Sequence, residues 1–217
     1  MKKFKLVIFD LDGTLVNAYA AIAGSFNFTM RKIGRPLQRP AVIRAAVGWG
    51  DRNLLRPFVK PQNLDRALAI YRRHHAASLV RYSRLYAGAK RLLTWLKKNG
   101  YKLAVASNRP TRFSRILMRH LGIAGYFDYC LCADKLDKGK PHPLMLRRIM
   151  QRLAVLPEET LYVGDMVIDA RAGRRARVKT AIVTTGSSSR TEIARLKPWR
   201  IIGSLNGLRG LLSPSQQ

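Results

Sequence analysis

The stretch Lys5-Leu6-Val7-Ile8-Phe9-Asp10-Leu11-Asp12-Gly13-Thr14-Leu15-Val16 decides how this chain is read. Residues 5–9 form a mostly apolar run that fits a buried parallel strand, and open α/β sheets place their ligands at the carboxyl ends of such strands. Asp10 and Asp12 leave that end two positions apart, and Gly13 lets the backbone turn tightly enough for amides to approach an anion. Two acids this close repel each other unless a cation sits between them, and an oxygen-lined Mg²⁺ site removes that cost. Judged singly, an Asp-Gly turn after a strand accounts for the segment almost as well.

Three downstream elements weigh on the choice. Residues 102–106 read as a second strand ending in Ser107-Asn108, whose hydroxyl and amide can bind phosphate oxygens without adding negative charge. Gly139-Lys140-Pro141-His142-Pro143 sets a lysine just before a helix that proline would start. Leu161-Tyr162-Val163-Gly164-Asp165 is another strand ending in an acid, with Asp169 one helical turn later. Each piece alone reads equally well as a turn, a solvated cation or a helix-start acid pair. Their joint order, three of them at strand ends, does not.

That order resembles the haloacid dehalogenase (HAD) superfamily of aspartate-nucleophile phosphotransferases. The resemblance implies an α/β fold with a doubly wound parallel sheet and an aspartyl-phosphate mechanism. It makes Asp10 the nucleophile, Asp12 the general acid/base and Lys140 the neutralising cation, with Thr14, Ser107 and Asn108 on the phosphoryl group. It implies Mg²⁺ held by Asp10, Asp165 and the backbone carbonyl of Asp12, with Asp169 as ligand or ligand support. Dehalogenases of the superfamily lack an acid at the position of Asp12, so phosphate transfer is the expected chemistry.

The chemistry agrees with those roles. A carboxylate nucleophile splits a very slow hydrolysis into formation and breakdown of an acyl phosphate. The second acid protonates the leaving oxygen and then takes a proton from water.

Apolar residues at i, i+3, i+4 and i+7 place helices at Ala89–Leu96, Phe113–His120 and Leu146–Leu153. Strands are expected near 102–106, 129–133, 160–164 and 180–183, with 200–202 a sixth at the edge. Residues 17–85 interrupt the alternation without a convincing strand, and Leu64, Leu68, Tyr71, His75, Leu79 and Tyr82 form one helical stripe. The expected organisation is therefore a core of residues 1–16 and 86–217 and an all-helical cap of 17–85. Such an insertion resembles the small cap of one HAD subclass, which closes over the site and selects the ester. His75 reads as a core residue of that stripe.

Within the cap, Val47-Gly48-Trp49-Gly50-Asp51-Arg52 looks like the cap loop of phosphoglycolate phosphatases. That likeness sets Arg52 against the carboxylate of a small acid such as 2-phosphoglycolate. A tight turn with Arg52 solvated is the competing reading. Sugar phosphates and nucleotides are the other candidate substrates.

The chain departs from the family pattern at Asn17-Ala18, at Met166 after the third strand-end acid, and at Arg177, where glycine is usual. If the backbone at Arg177 needs a positive φ, the cost is roughly 1 kcal/mol.

Charge is the anomaly: 41 Lys/Arg against 12 Asp/Glu give a net +29 over 217 residues. Four of those acids are Asp10, Asp12, Asp165 and Asp169, so negative charge is retained where the site is expected. The field suits a small anionic phosphorylated substrate and weak polyanion or nucleic-acid binding, and it is equally open to a compositional origin. The basic segments lack interleaved aromatics for base stacking. No apolar run reaches the ~20 residues of a membrane span, and the acids at 10 and 12 interrupt any signal-like start, so a cytoplasmic protein is expected. Cys130 and Cys132 alternate on one expected strand and face the same side, as reduced packing residues.

Overall fold

The computed structural model describes residues 4–212; Ser213-Pro214-Ser215-Gln216-Gln217, whose composition reads as a disordered tail, lies outside them. The chain runs through β1 (Leu6–Phe9) and β2 (Val16–Asn17) into four helices, α1 (Tyr19–Lys32), α2 (Pro40–Ala45), α3 (Asp51–Leu55) and α4 (Leu64–Tyr82). It returns through β3 (Arg84–Leu85) to α5 (Ala89–Lys98), β4 (Lys102–Ser107), α6 (Thr111–His120), β5 (Tyr129–Cys132) and α7 (Leu144–Leu153). The last part is β6 (Thr160–Gly164), α8 (Val167–Ala176), β7 (Lys179–Val183), α9 (Arg190–Ala194), β8 (Arg200–Ile202) and α10 (Asn206–Leu212).

Six of these strands form one sheet in the order β5-β4-β1-β6-β7-β8, every neighbour parallel. The alternation of side chains along β1 explains why helices cover both faces. Leu6 and Ile8 join Ala104, Tyr162, Met145 and Ile149 in one apolar layer, whereas Val7 and Phe9 join Leu103, Val105, Leu93 and Phe113 in the other. Fully burying one such side chain contributes roughly 1.5–3 kcal/mol, so packing of the layers fixes where the strand ends lie. No helix among the described residues is long and apolar enough to cross a membrane.

The helical insertion α1–α4 hangs between β2 and β3. α4 buries Leu64, Leu68, Tyr71, His75 and Leu79, as the stripe predicts, and packs along α1. Tyr82, the last residue of the helix, is exposed.

Three details differ from the sequence reading, and a fourth meets it. Val16–Asn17 and Arg84–Leu85 pair antiparallel at the neck of the insertion; two residues are too few to carry an alternation pattern. β5 is one edge of the sheet, with β8 the other, and its Tyr129 and Cys130 are half-buried, so this strand is less enclosed than its composition suggested. α7 begins at Leu144 and not at Pro141, with Pro143 in the capping position and the Lys140–Pro141 peptide cis. Arg177 does sit at φ 62°, the left-handed C-cap of α8.

Candidate active site

β1 pairs with β4 on one side and β6 on the other, with Phe9 level with Val105 and Val163. The chain order reverses at β1, and crevices form at such switch points beyond the carboxyl ends of the strands. Asp10 follows β1, Ser107 closes β4 and Asp165 follows β6, so the sheet brings three sequence-distant motifs to one rim.

Lys140 ties the rim together. Its buried ammonium lies 2.8 Å from Asp10 Oδ1 and 2.9 Å from Asp169 Oδ1, and it donates to the Tyr162 hydroxyl at 3.0 Å. Tyr162 in turn donates to Asp169 Oδ1. The other oxygen of Asp169 accepts the amides of Asp165 and Met166 at 3.2 and 3.0 Å, so the helix start of α8 is built around this carboxylate. Asp169, with both oxygens engaged, is placed as an anchor for Lys140 and for the Asp165 backbone.

Asp10, Asp165 and Asp169 are buried and bring carboxylate oxygens within 4.8 Å of one another. Three carboxylates against one ammonium leave two negative charges out of water, which is costly unless a divalent cation offsets them. Burial pushes the Asp10 carboxyl up to about 7 against the pull of Lys140. Burial also raises Asp165 well above the usual carboxylate range, with Asp169 and Asp10 adding to it. Burial works against the Lys140 charge, but Asp10 and Asp169 outweigh it and hold the ammonium above the ordinary lysine range.

Asp165 supplies a direct test of fit for a cation. Its Oδ1 accepts from Thr14 Oγ1 at 2.7 Å, while Oδ2 is buried without a hydrogen-bond partner. A Cβ on Gly13, at φ 85°, would stand 2.2 Å from that Oδ2, and one on Gly186 2.1 Å from it. The two glycines keep open the space against an orphaned carboxylate oxygen, the donor type that hard divalent cations take.

A cavity between sheet and insertion opens on Asp10, Asp12, Ser107 and Asn108. Three residues have partners that their sequence positions did not announce. Thr14 is fully buried outside the lining of that cavity, and its hydroxyl donates to Asp165 Oδ1. Asn108 spends its amide on the Lys140 backbone and the Gly48 carbonyl, with Nδ2 donating to Lys140 O at 3.0 Å and Gly48 O at 2.9 Å. Arg52 lies outside the cavity lining: its guanidinium pairs with Asp65 Oδ1 at 2.6 Å on the surface, because α3 turns it away from the rim. Ser107 is where expected, with Oγ accepting the Arg109 amide at 3.2 Å.

Residues 7–183 match the family described as haloacid dehalogenase-like hydrolase. The chain belongs to that family. Phosphoglycolate phosphatase of Aquifex aeolicus is 32% identical over 182 residues, covering 84% of this chain and 85% of the relative. Phosphoglycolate phosphatase of Nitrosococcus oceani is 28% identical, covering 98% of both chains. Among solved structures, a predicted phosphoglycolate phosphatase from Haemophilus somnus superimposes with a TM-score of 0.92 at 27% identity, covering 98% of this chain and 100% of that one. With such relatives along nearly its whole length, this haloacid dehalogenase-like hydrolase is a phosphatase.

The hydrolase also has a residue pair that the sequence reading missed. Arg109, directly after Asn108, donates from Nε to Asp12 Oδ2 at 2.8 Å and from Nη2 to Asp12 Oδ1 at 2.6 Å. Its Nη1 meets His75 Nε2 of the insertion at 2.7 Å. His75 is in the core stripe as expected, between Tyr71 at 4.7 Å and Phe113 at 5.2 Å between ring centroids, yet it is also a polar partner. Burial, then the Arg109 charge and His74, hold its imidazole down to about 2, so the ring is neutral. The available signal was an arginine next to a strand-end Ser-Asn; only the docked insertion reveals what it grips.

Proposed function

We propose that the protein hydrolyses a small phosphate monoester, with 2-phosphoglycolate the leading substrate, through a phosphoryl group carried briefly on Asp10. The observation that carries this reading is the Asp10 carboxylate, fixed by Lys140 beside the partnerless oxygen of Asp165 at the floor of a covered cavity. The names of the relatives support the choice of ester.

Asp10 attacks phosphorus, and the leaving oxygen receives a proton from Asp12. Water then attacks the acyl phosphate, giving its proton back to Asp12. Lys140 lies against Asp10 and offsets the charge on the transferring group. Ser107 lines the same cavity and orients a phosphoryl oxygen. Mg²⁺ would be held by Asp10 and Asp165, with the Asp12 carbonyl, and would supply charge stabilisation at the phosphoryl oxygens. Asp169 and Thr14 position those groups. Residues 17–85 act as a cap over the core, excluding water and contacting the alcohol part of the ester. The enzyme works in the cytoplasm, where Cys130 and Cys132 stay as thiols.

The test is a comparison of 2-phosphoglycolate with hexose phosphates and 5′-nucleotides, in Mg²⁺ and after chelation. A kcat/KM highest for 2-phosphoglycolate, lost on chelation, supports the reading. Preference for a sugar phosphate or nucleotide would replace the substrate, and turnover that survives chelation would remove the metal.

A further inference from the structure

The phosphatase reading leaves the alcohol half of the ester without a receptor, since Arg52 faces the surface. In a chain of net charge +29, the cavity over Asp10 has only one Lys or Arg in its lining among the described residues, and that residue is Arg109. Its side chain is 6% exposed. The rest of the upper lining is largely apolar, with Ile22, Val47, Leu54 and Tyr71, and the acid there, Asp51, is matched by a two-bond pair to Arg72.

We infer that Arg109 is the receptor for a carboxylate on the leaving alcohol, passed to it from Asp12, and that His75 sets its aim. The inference rests on the phosphatase reading and names the feature by which that site selects its ester.

The fork geometry is already shown on Asp12, which fills both parallel N–H positions of the guanidinium. Planar two-point recognition of this kind is what arginine offers a carboxylate and lysine does not. While Arg109 holds both Asp12 oxygens, the carboxylate is kept turned to the guanidinium and not to a leaving oxygen. A buried guanidinium cannot simply release its anion, because an unpaired charge out of water is expensive. A substrate carboxylate replaces Asp12 one for one, preserving the balance and freeing Asp12 for the leaving group. A neutral alcohol offers no such exchange.

His75 makes the arrangement directional. Its Nδ1 lies 3.0 Å from Ser25 Oγ, and that hydroxyl donates to Ala21 O at 2.9 Å. With the hydroxyl hydrogen spent, Nδ1 carries the ring proton and Nε2 is left as an acceptor for Arg109. The insertion thereby holds one nitrogen of a guanidinium whose other two nitrogens both donate to Asp12 at the cavity.

The test compares 2-phosphoglycolate with its neutral amide, which has nearly the same shape. In the wild type the acid should exceed the amide in kcat/KM by on the order of 100-fold, as expected for a desolvated charge pair. Arg109→Gln should bring the ratio to within about threefold, and Arg109→Lys, which keeps the buried charge and so protects folding, should lower it by roughly tenfold. His75→Phe keeps the ring packing and should raise KM for the acid more than for the amide, a split that general loosening does not produce. Good turnover of 2-phosphoglycolate with a wild-type ratio near one would overturn the receptor while leaving the phosphatase reading in place. A large ratio unchanged in both Arg109 variants would overturn the assignment to Arg109. Hydrolysis of an aryl phosphate with neither glycolate compound accepted would overturn both the substrate and the receptor.

Discussion

Asn108 and Lys140 hold each other through the main chain: Asn108 Oδ1 accepts the Lys140 amide at 2.9 Å and its Nδ2 donates to the Lys140 carbonyl at 3.0 Å. One side chain after β4 thus fixes both backbone polar groups of Lys140, the residue that ties the rim together, 32 residues away in sequence. The same Nδ2 reaches the Gly48 carbonyl, so the loop of Lys140 and the loop of the insertion share one anchor.

Replacing that anchor should be costly without removing any reacting group. Asn108→Ala leaves buried backbone groups unpaired, at about 1–3 kcal/mol. Steady-state assays should give a kcat/KM lower by roughly 10–100-fold together with a lower Tm. A variant with wild-type kinetics would mean that Lys140 is held in place by its ion pairs alone.

His75 gives a pH dependence of definite sign. Its folded pKa is depressed from 6.5 to about 2, so between those values the unfolded chain binds more protons than the folded one. Stability from this group is present above pH 6.5 and is lost as pH falls, by up to ~1.4 kcal/mol per unit. Asp10, raised to about 7, moves the opposite way, so the comparison must be between wild type and variant. In thermal melts from pH 7 to 5, His75→Phe should lose less Tm than wild type. Parallel curves would contradict a neutral buried ring beside Arg109 and His74.

The space around Asp165 can be probed from the far side. Gly186→Ala would set a methyl 2.1 Å from Asp165 Oδ2 and 2.5 Å from the Asp165 carbonyl oxygen. The carboxylate must turn, and loss of ligand orientation typically costs 10–100-fold in metal affinity. The Mg²⁺ concentration for half-maximal activity should rise by about that factor. An unchanged Mg²⁺ dependence would take Asp165 Oδ2 out of the metal site.

Arg177 offers a stability test remote from the chemistry. At φ 62° a side chain is strained where glycine is not. Arg177→Gly should raise Tm by about 2–4 °C with activity unchanged, from a gain of about 1 kcal/mol. A lower Tm would show that the arginine contributes more at this C-cap than its backbone strain costs.

Much of this was readable from residues alone because it depends on strands. The runs ending at Asp10, Ser107 and Asp165 are short, apolar and buried, and a parallel sheet puts all three ends on one rim whatever the loops do. Lys140 was legible for the same reason, by its order among the strands. What escaped depends on how the insertion sits. Arg109 stands beside two residues that were singled out, but only contact with His75 and Asp12 reveals what it grips. The family resemblance implies Thr14 and Asn108 at the phosphoryl group, a place that the amide of Asn108 also suits by type. Their actual partners, the Asp165 carboxylate and the Lys140 peptide, are 151 and 32 residues away. The Gly-x-Gly turn before Arg52 left a substrate carboxylate and a solvated surface equally open to it, and the first turn of α3 directs it to Asp65 on the surface. The paired dipeptides at the neck are too short for any pattern to register.

The central claim is that Asp10 becomes phosphorylated. The direct measurement is mass spectrometry of the peptide containing Asp10 after acid quenching during turnover of 2-phosphoglycolate in Mg²⁺, run beside Asp10→Asn. The account predicts a phosphoryl group on Asp10 in the wild type, and no turnover and no label in the variant. An unlabelled Asp10 peptide, with Asp10→Asn still hydrolysing the ester at the wild-type rate, would contradict it.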